Sequence, residues 1–355
     1  MNPRIKCLRN QLNSLNIEGM IVSNPINIKY LTNLDAEGEL LITRKENIFL
    51  TDSRYIEAVN SALTIDSEII AWDKRGMIRE DYENFFLFCE KVGFEESYVT
   101  YANYKHYMQL YKINNLVETE NIIEQQRMIK DVEEIKNIKK ACEITDNAFE
   151  YICKYIKKGM TEKQIAKELE NYMLDSGANG IAFETIIASG ENSSMPHAVP
   201  TDRKIQSNDV ILMDFGCKYN GYCSDMTRTI FVDGITDSER NIYNLVLENQ
   251  EKVLEEIKED ANCRILTMMV ESDFKVKGHT LDHALGHGVG LDIHELPYVG
   301  RKDYNLKENM IITDEPGIYI PGIFGIRIED TILVNKFSCE RLTKSNKEIR
   351  IIHND

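Results

Sequence analysis

A chain of 355 residues can form two domains of ordinary size, and 43% hydrophobic with 28% charged residues is a globular rather than a disordered composition. A formal net charge of −16 excludes the basic stripe that nucleic acids and anionic membranes require. The eight cysteines include no CxxC pair, Arg4, Lys6 and Arg9 break any apolar leader near Met1, and no window approaches about 20 apolar residues. The expectation is a protein of the reducing cytoplasm, with no membrane span and Cys217 and Cys223 unpaired.

In the first part of the chain Ile5, Leu8, Leu12 and Leu15 keep helical spacing, while "GMIVS", "LLIT" and "NIFLTD" read as strands. The texture then changes. "KDVEEIKNIKKACEITDNAFEYICKYIKKG" predicts a long amphipathic helix with Asp131 as N-cap, Glu134 completing the cap and Gly159 as the stop. Thr161 with Gln164 predicts the start of a second helix, ended by Gly177. These shifts predict an α/β domain over 1–123 and a second domain over 124–355.

Two later segments read as hairpins. In "VILMDFGCKYNGYCSDMTRTIFV" the pair Asn220-Gly221 is the signature of a two-residue turn. The register it sets puts Asp214 opposite Thr227, with Asp225 one diagonal step away on the same face. A solvent-facing turn explains Asp225 alone, but fits Asp214 poorly, because that residue sits between Met213 and Phe215. In "DEPGIYIPGIFGIRIED" a reversal at Gly322 puts Glu315 opposite Glu329, with Tyr319 and Arg327 on the same face and Gly317 and Gly325 leaving space for a ligand or metal. Four carboxylates gathered at one point need about four positive charges, which two divalent cations supply.

"LGHGVGLDIHELP" is too glycine-rich for a helix and too polar for a core strand. It lacks both the GxGxxG spacing of a phosphate cradle and the second histidine of a zincin helix. His287 and His294 lie an odd number of residues apart, so a straight strand would point them to opposite faces. A bend at Gly288–Gly290 would bring His294 back to the site, and small residues beside His287 would let the backbone crowd a metal centre.

At this point the chain resembles the pita-bread metallopeptidases, the family of aminopeptidase P, prolidase and methionine aminopeptidase, with metal-free creatinase as a relative. The likeness runs through "VSNPINIKYLTN", "TDSRYIEA" and "RMIKDVEEI". It continues through "MPHAVPTDRKI", "DFGCKYNGYCSDMTRT", "HALGHGVGLDIHELP" and "EPGIYIPGIFGIRIED". The resemblance implies an α+β protein: an N-terminal α/β creatinase-like domain, then a pita-bread domain with a curved, mostly antiparallel sheet and flanking helices. It carries over Asp214, Asp225, His287, Glu315 and Glu329 as ligands of two divalent ions, Asp225 and Glu329 bridging. An oxygen-rich set with one imidazole favours Mn2+, with Co2+ or Zn2+ as alternatives. His197 and His294 are the implied hydrogen-bonding groups around the scissile amide, and Glu315 can also move the proton of the attacking water. His283 is implied to contact the prolyl residue of the substrate or its carboxyl end; Arg327 either binds that carboxylate or, the role favoured here, orients Glu329. Tyr222, Tyr298 and Tyr319 are candidates to line an apolar slot for proline, or equally to pack the core. The departures are Asp314, where an apolar residue is expected, and Cys263, where an acid is; Asp314 either slows metal exchange or points outward.

The reading taken is an aminopeptidase P that cleaves proline-containing peptides after their first residue, as a homodimer whose first domain walls off the partner's site. Prolidase, cutting only dipeptides, shares every motif. A non-catalytic binding scaffold of the same fold is the third reading.

Overall fold

The computed structural model describes residues 2–63, 68–75 and 79–353, and contacts divide the chain into two compact units, Met1–Arg127 and Met128–Asp355. The short helix Ile122–Arg127 belongs to the first.

The first unit is built on a six-stranded mixed sheet in the order Ile69–Asp73, Asn47–Thr51, Glu39–Thr43, Gly19–Val22, Val92–Phe94, Leu116–Glu118. Gly19–Val22 and Asn47–Thr51 are buried along their whole length, which explains why they read as continuous apolar runs rather than alternating ones. The helix Pro3–Ser14 is capped by the Asn2 side chain and buries Ile5, Leu8 and Leu12. Leu15, which shares their spacing, instead ends the helix and is 51% exposed.

Glu95 is buried just past the strand Val92–Phe94. Its carboxyl accepts from Ser23 N (2.6 Å), Asn24 N (2.8 Å) and Asn27 Nδ2 (2.7 Å). Those donors favour the ionised form, yet burial outweighs them and pushes the group up to about 7.

In the second unit, Asp131 and Glu134 cap the helix Val132–Tyr155 reciprocally, and Thr161 and Gln164 do the same for Glu162–Asp175. The first helix stops at Ile156, before the predicted Gly159, because Ile156 leaves helical geometry and enters the core. Ile144, Ala148 and Ile152 of the first helix and Ile165 and Leu169 of the second form one apolar cluster with Ile211, Met213 and Phe215. The helices Asp237–Glu256 and Cys263–Val276 build a second cluster with Ile312, Ile326 and Ile332.

The sheets these helices cover are antiparallel except for one pair among the described residues, Met226–Val232 with Ile351–Ile352. All eight cysteines are free, Cys217 and Cys223 included. Among the described residues no helix is long and apolar enough to cross a membrane.

A raised carboxyl means that folding favours the protonated form. Glu95 therefore contributes its full share of stability below about 4.5, and that share is lost as pH rises through about 7. The melting temperature should fall from pH 5 to pH 8 more in the wild type than in Glu95→Gln; parallel pH profiles for the two proteins would refute this assignment.

Candidate metal centre and active site

Both hairpins form in the expected register. Asn220 and Gly221 take φ of 50° and 86°, as a primed turn requires, and Asp214 lies opposite Thr227. Gly322 has φ of 71°, Gly317 pairs with Arg327, and Tyr319 pairs with Gly325. On the far side of Glu315 and Glu329 the same register resumes with Asp314 opposite Asp330. At the two glutamates the ladder opens, and each backbone turns to a different neighbour. Glu315 N donates to Leu285 O (2.9 Å), just before the strand of His287, and Glu329 N donates to Thr227 O (3.1 Å). Cys223 N in turn donates to Gly290 O (2.8 Å). The two hairpins and the glycine–histidine segment are thus stitched into one frame by main-chain bonds.

That frame gathers the acids around a cavity of about 260 Å³ whose wall includes Asp214, Asp225, Glu315 and Glu329. Ligand atoms of Asp225, His287 and Glu329 all lie within 4.8 Å of one another. His287 Nε2 is 3.5 Å from Asp225 and 3.4 Å from Glu315. Burial first, then repulsion from the other acids, holds Asp225 and Glu329 well above the ordinary carboxylate range; burial pushes Glu315 up to about 8. Burial also lowers His287 to about 4, leaving its imidazole neutral, the form that ligates a metal.

Among the lining residues Arg327 is the one guanidinium, and it donates to Asp214 Oδ2 (2.5 Å), Thr227 Oγ1 (3.0 Å) and Tyr319 Oη (2.7 Å). Thr227 Oγ1 donates onward to Glu329 Oε2 (2.7 Å). The other oxygen of Asp214 is buried without a hydrogen-bond partner. One cation against four acids, with a buried carboxylate oxygen of a cavity residue left orphaned, is a donor set that fits divalent cations.

His197, His283 and His294 also line the cavity. The ladder shifts register between His287 and Gly288, and the ring centroids of His287 and His294 come within 4.3 Å. The bend at the glycines does what the sequence required of it. His283 is held by Tyr319 Oη (3.0 Å) and the Ala284 carbonyl (2.8 Å), and burial lowers it to about 4.

Two expectations about glycine are corrected. A Cβ on Gly286 would meet Thr313 O at 2.0 Å and one on Gly288 would meet Leu296 O at 2.3 Å, so these glycines admit neighbouring backbone rather than a metal. The space beside Gly317 is filled by the Tyr319 ring, and that beside Gly325 by Ser193 O. Of the three tyrosines proposed for the slot, Tyr298 lines the cavity, while Tyr222 is buried and bonds Glu134 (3.1 Å).

The sequence reading did not single out Phe183 and Ile186 on the cavity wall, nor the threonines that hold the acids. Thr313 Oγ1 accepts from His287 N (3.0 Å) and donates to Glu315 Oε1 (3.2 Å). Thr227 and Thr313 each sit two residues from an acid along an extended segment, so period two could have found them. Phe183 and Ile186 carry no such signal.

Residues 136–336 match metallopeptidase family M24, and residues 4–129 match the creatinase/prolidase N-terminal domain. The chain belongs to metallopeptidase family M24. It is 34% identical to the Xaa-Pro dipeptidase of Pyrococcus furiosus, covering 98% of this chain and 100% of that one. The structure of an Xaa-Pro dipeptidase from Bacillus anthracis aligns with TM-score 0.92 at 37% identity, over 98% and 99% of the two chains. An X-Pro aminopeptidase from Thermotoga maritima aligns with TM-score 0.87 at 32% identity, over 97% and 100%.

In this M24 peptidase Asp314 points inward, not outward. It is 1% exposed, neither carboxyl oxygen has a hydrogen-bond partner, and burial beside Asp330 holds it well above the usual range. An unsatisfied buried acid is a net cost. Asp314→Val should therefore stabilise the metal-free protein by about 1–3 kcal/mol in denaturant titrations, and an unchanged or lower midpoint would contradict that cost.

Proposed function

We propose that the protein is a metal-dependent Xaa-Pro dipeptidase, a prolidase, rather than the aminopeptidase P that the sequence reading ranked first. The observation that carries a hydrolytic role is the convergence of Asp214, Asp225, Glu315, Glu329 and His287 on one end of a small cavity. Two features favour the dipeptidase. Full-length relatives at 34% and 37% identity are named Xaa-Pro dipeptidases. The cavity of about 260 Å³ falls below the roughly 300–1,000 Å³ of sites for larger ligands, a size suited to a dipeptide.

Those five side chains would hold two divalent cations, whose charge offsets the excess of acids over the Arg327 guanidinium. The oxygen-rich donors favour manganese over cobalt or zinc. When bound, such ions supply Lewis-acid polarisation of the scissile carbonyl and of the attacking water.

The rest falls to the chain's own residues. Glu315 takes the proton of the attacking water and delivers it to the leaving nitrogen. His294, beside His287, donates to the carbonyl oxygen as it becomes an oxyanion, and His197 hydrogen-bonds the substrate from its own loop. Proline at the leaving side offers no N–H, and the apolar wall of Phe183, Ile186 and Ile293 asks for none.

His283, held neutral between the Ala284 carbonyl and Tyr319 Oη, flanks the prolyl end of the substrate. Arg327 is a positioning residue, because its donors are committed to Asp214, Thr227 and Tyr319 and through Thr227 it orients Glu329. Free thiols throughout suit a reducing cytoplasm, and the homodimer expected from the sequence remains part of the proposal.

Chelation should abolish hydrolysis of an Ala-Pro dipeptide and manganese should restore it, with an Ala-Pro-Ala tripeptide cleaved far more slowly. Faster tripeptide cleavage would return the assignment to aminopeptidase P, and no cleavage of either by metal-replete protein would favour the scaffold. Asp225→Asn should lose bound metal and at least about a hundredfold in kcat/KM. Arg327→Lys keeps the charge but cannot span three partners, and should cost about ten- to a hundredfold in metal affinity by calorimetry; wild-type affinity would remove Arg327 from its positioning role.

A further inference from the structure

We propose that Glu162, the first residue of the helix Glu162–Asp175, is a positioning residue that fixes the loop carrying His197 over the cavity; this rests on the reading of His197 as a substrate contact. Glu162 is 0% exposed, and lies outside the cavity wall. Its carboxylate accepts from both ends of the loop. At one end it takes Ser189 N and Ser189 Oγ, each at 2.7 Å. At the other it takes Thr201 N (2.9 Å) and Thr201 Oγ1 (2.6 Å). Asn192 Nδ2 (3.1 Å) adds a bond from within.

Between those stems the chain makes the short 3-10 turn Gly190–Ser194 and then Met195, Pro196 and His197, the last two at the cavity wall. The stem at Ser189 ends the strand Ile186–Ser189, whose Ile186 is paired with Asp214. The loop's outer side is held by the second hairpin, where Gly325 N donates to Ser193 Oγ (2.9 Å) and Gly322 N to Ser194 Oγ (3.2 Å). A carboxylate is acceptor-only and satisfies donors converging from two stems at once. A glutamine of the same shape would turn its NH2 toward one stem and set donor against donor. Arg203 reinforces the same stems, its side chain bonding Ser189 Oγ (2.8 Å) and Glu191 (3.1 Å) and its main-chain N donating to Thr201 Oγ1 (3.1 Å), but Glu162 is the group that takes the main-chain N–H of both Ser189 and Thr201.

The test is a double-mutant cycle of Glu162→Gln and His197→Ala on Ala-Pro hydrolysis, with metal content measured for each protein. Glu162→Gln should lower kcat/KM by about ten- to a hundredfold with unchanged metal stoichiometry. Added to His197→Ala it should cost no more than about a further twofold, since both remove one contact. In the metal-free protein, the His197 ring resonance, assigned by its loss in His197→Ala, should move or broaden in Glu162→Gln while that of His353 stays fixed.

Losses that multiply, or an unmoved His197 resonance, would overturn the proposal. If His197→Ala is impaired and Glu162→Gln is not, the positioning role alone is wrong. If His197→Ala behaves as wild type, the substrate-contact reading is wrong and the positioning role goes with it. Should Glu162→Gln fail to fold, Thr201→Val removes the Thr201 Oγ1 bond to Glu162, together with those the oxygen accepts from Arg203 N and Asn192, and leaves the main-chain one; a smaller loss that vanishes in the His197→Ala background supports the proposal, and an additive one refutes it.

Discussion

Repulsion among Asp214, Asp225, Glu315 and Glu329 is the constraint around which the second unit is arranged. Carboxylates this buried cannot all ionise beside a single guanidinium, and the raised proton affinities of Asp225, Glu315 and Glu329 express that cost. The fold answers by making the frame stiff. Each acid stands on or beside a strand, the strands exchange main-chain bonds at the points where the acids face inward, and two threonines pin carboxylates, Thr313 that of Glu315 just past its own strand and Thr227 that of Glu329 across the frame. A frame held this way keeps its donors converged without a counter-charge to draw them in, which is the preorganisation that tight cation binding needs.

Behind the acids lies a second layer of committed polar groups. Arg228 and Lys347 bond Asp330 at 2.6 Å and 3.1 Å, and Lys130 bonds Glu295 at 2.7 Å, all with little or no exposure. Breaking such pairs is costly because the surviving partner is left buried and uncompensated. Asp330 follows Glu329 and Glu295 follows His294, so each pair anchors the backbone beside a residue of the cavity. Asp314 is the exception: it faces Asp330 across the ladder with neither oxygen partnered, and no residue in the structure explains its presence.

Much of this was legible in the sequence because strand register is rigid. Asn220-Gly221 and Gly322 each determine which residues lie opposite, and from those two turns the pairing of Asp214 with Thr227, and the facing of Glu315 and Glu329, followed by parity. Helix starts were equally readable, since Asp131 with Glu134 and Thr161 with Gln164 satisfy each other locally. What stayed hidden is long-range. Gly286 and Gly325 are small because Thr313 O and Ser193 O approach them, and no local pattern announces a backbone arriving from elsewhere. The wall formed by Phe183 and Ile186 was invisible for the same reason. The choice between dipeptidase and aminopeptidase readings depends on the size and closure of the cavity, which motifs shared by both do not encode.

Arg327 and Asp214 meet across 113 positions of chain. No stretch shorter than that holds even this pair, and Glu329 lies further still toward the carboxyl end. A polypeptide leaving the ribosome therefore carries the acids of the first hairpin without those of the second until the strands around Glu329 have emerged and joined them. The converging set of acids is thus complete only once the chain has been made past Glu329, which places assembly of the cavity late in synthesis.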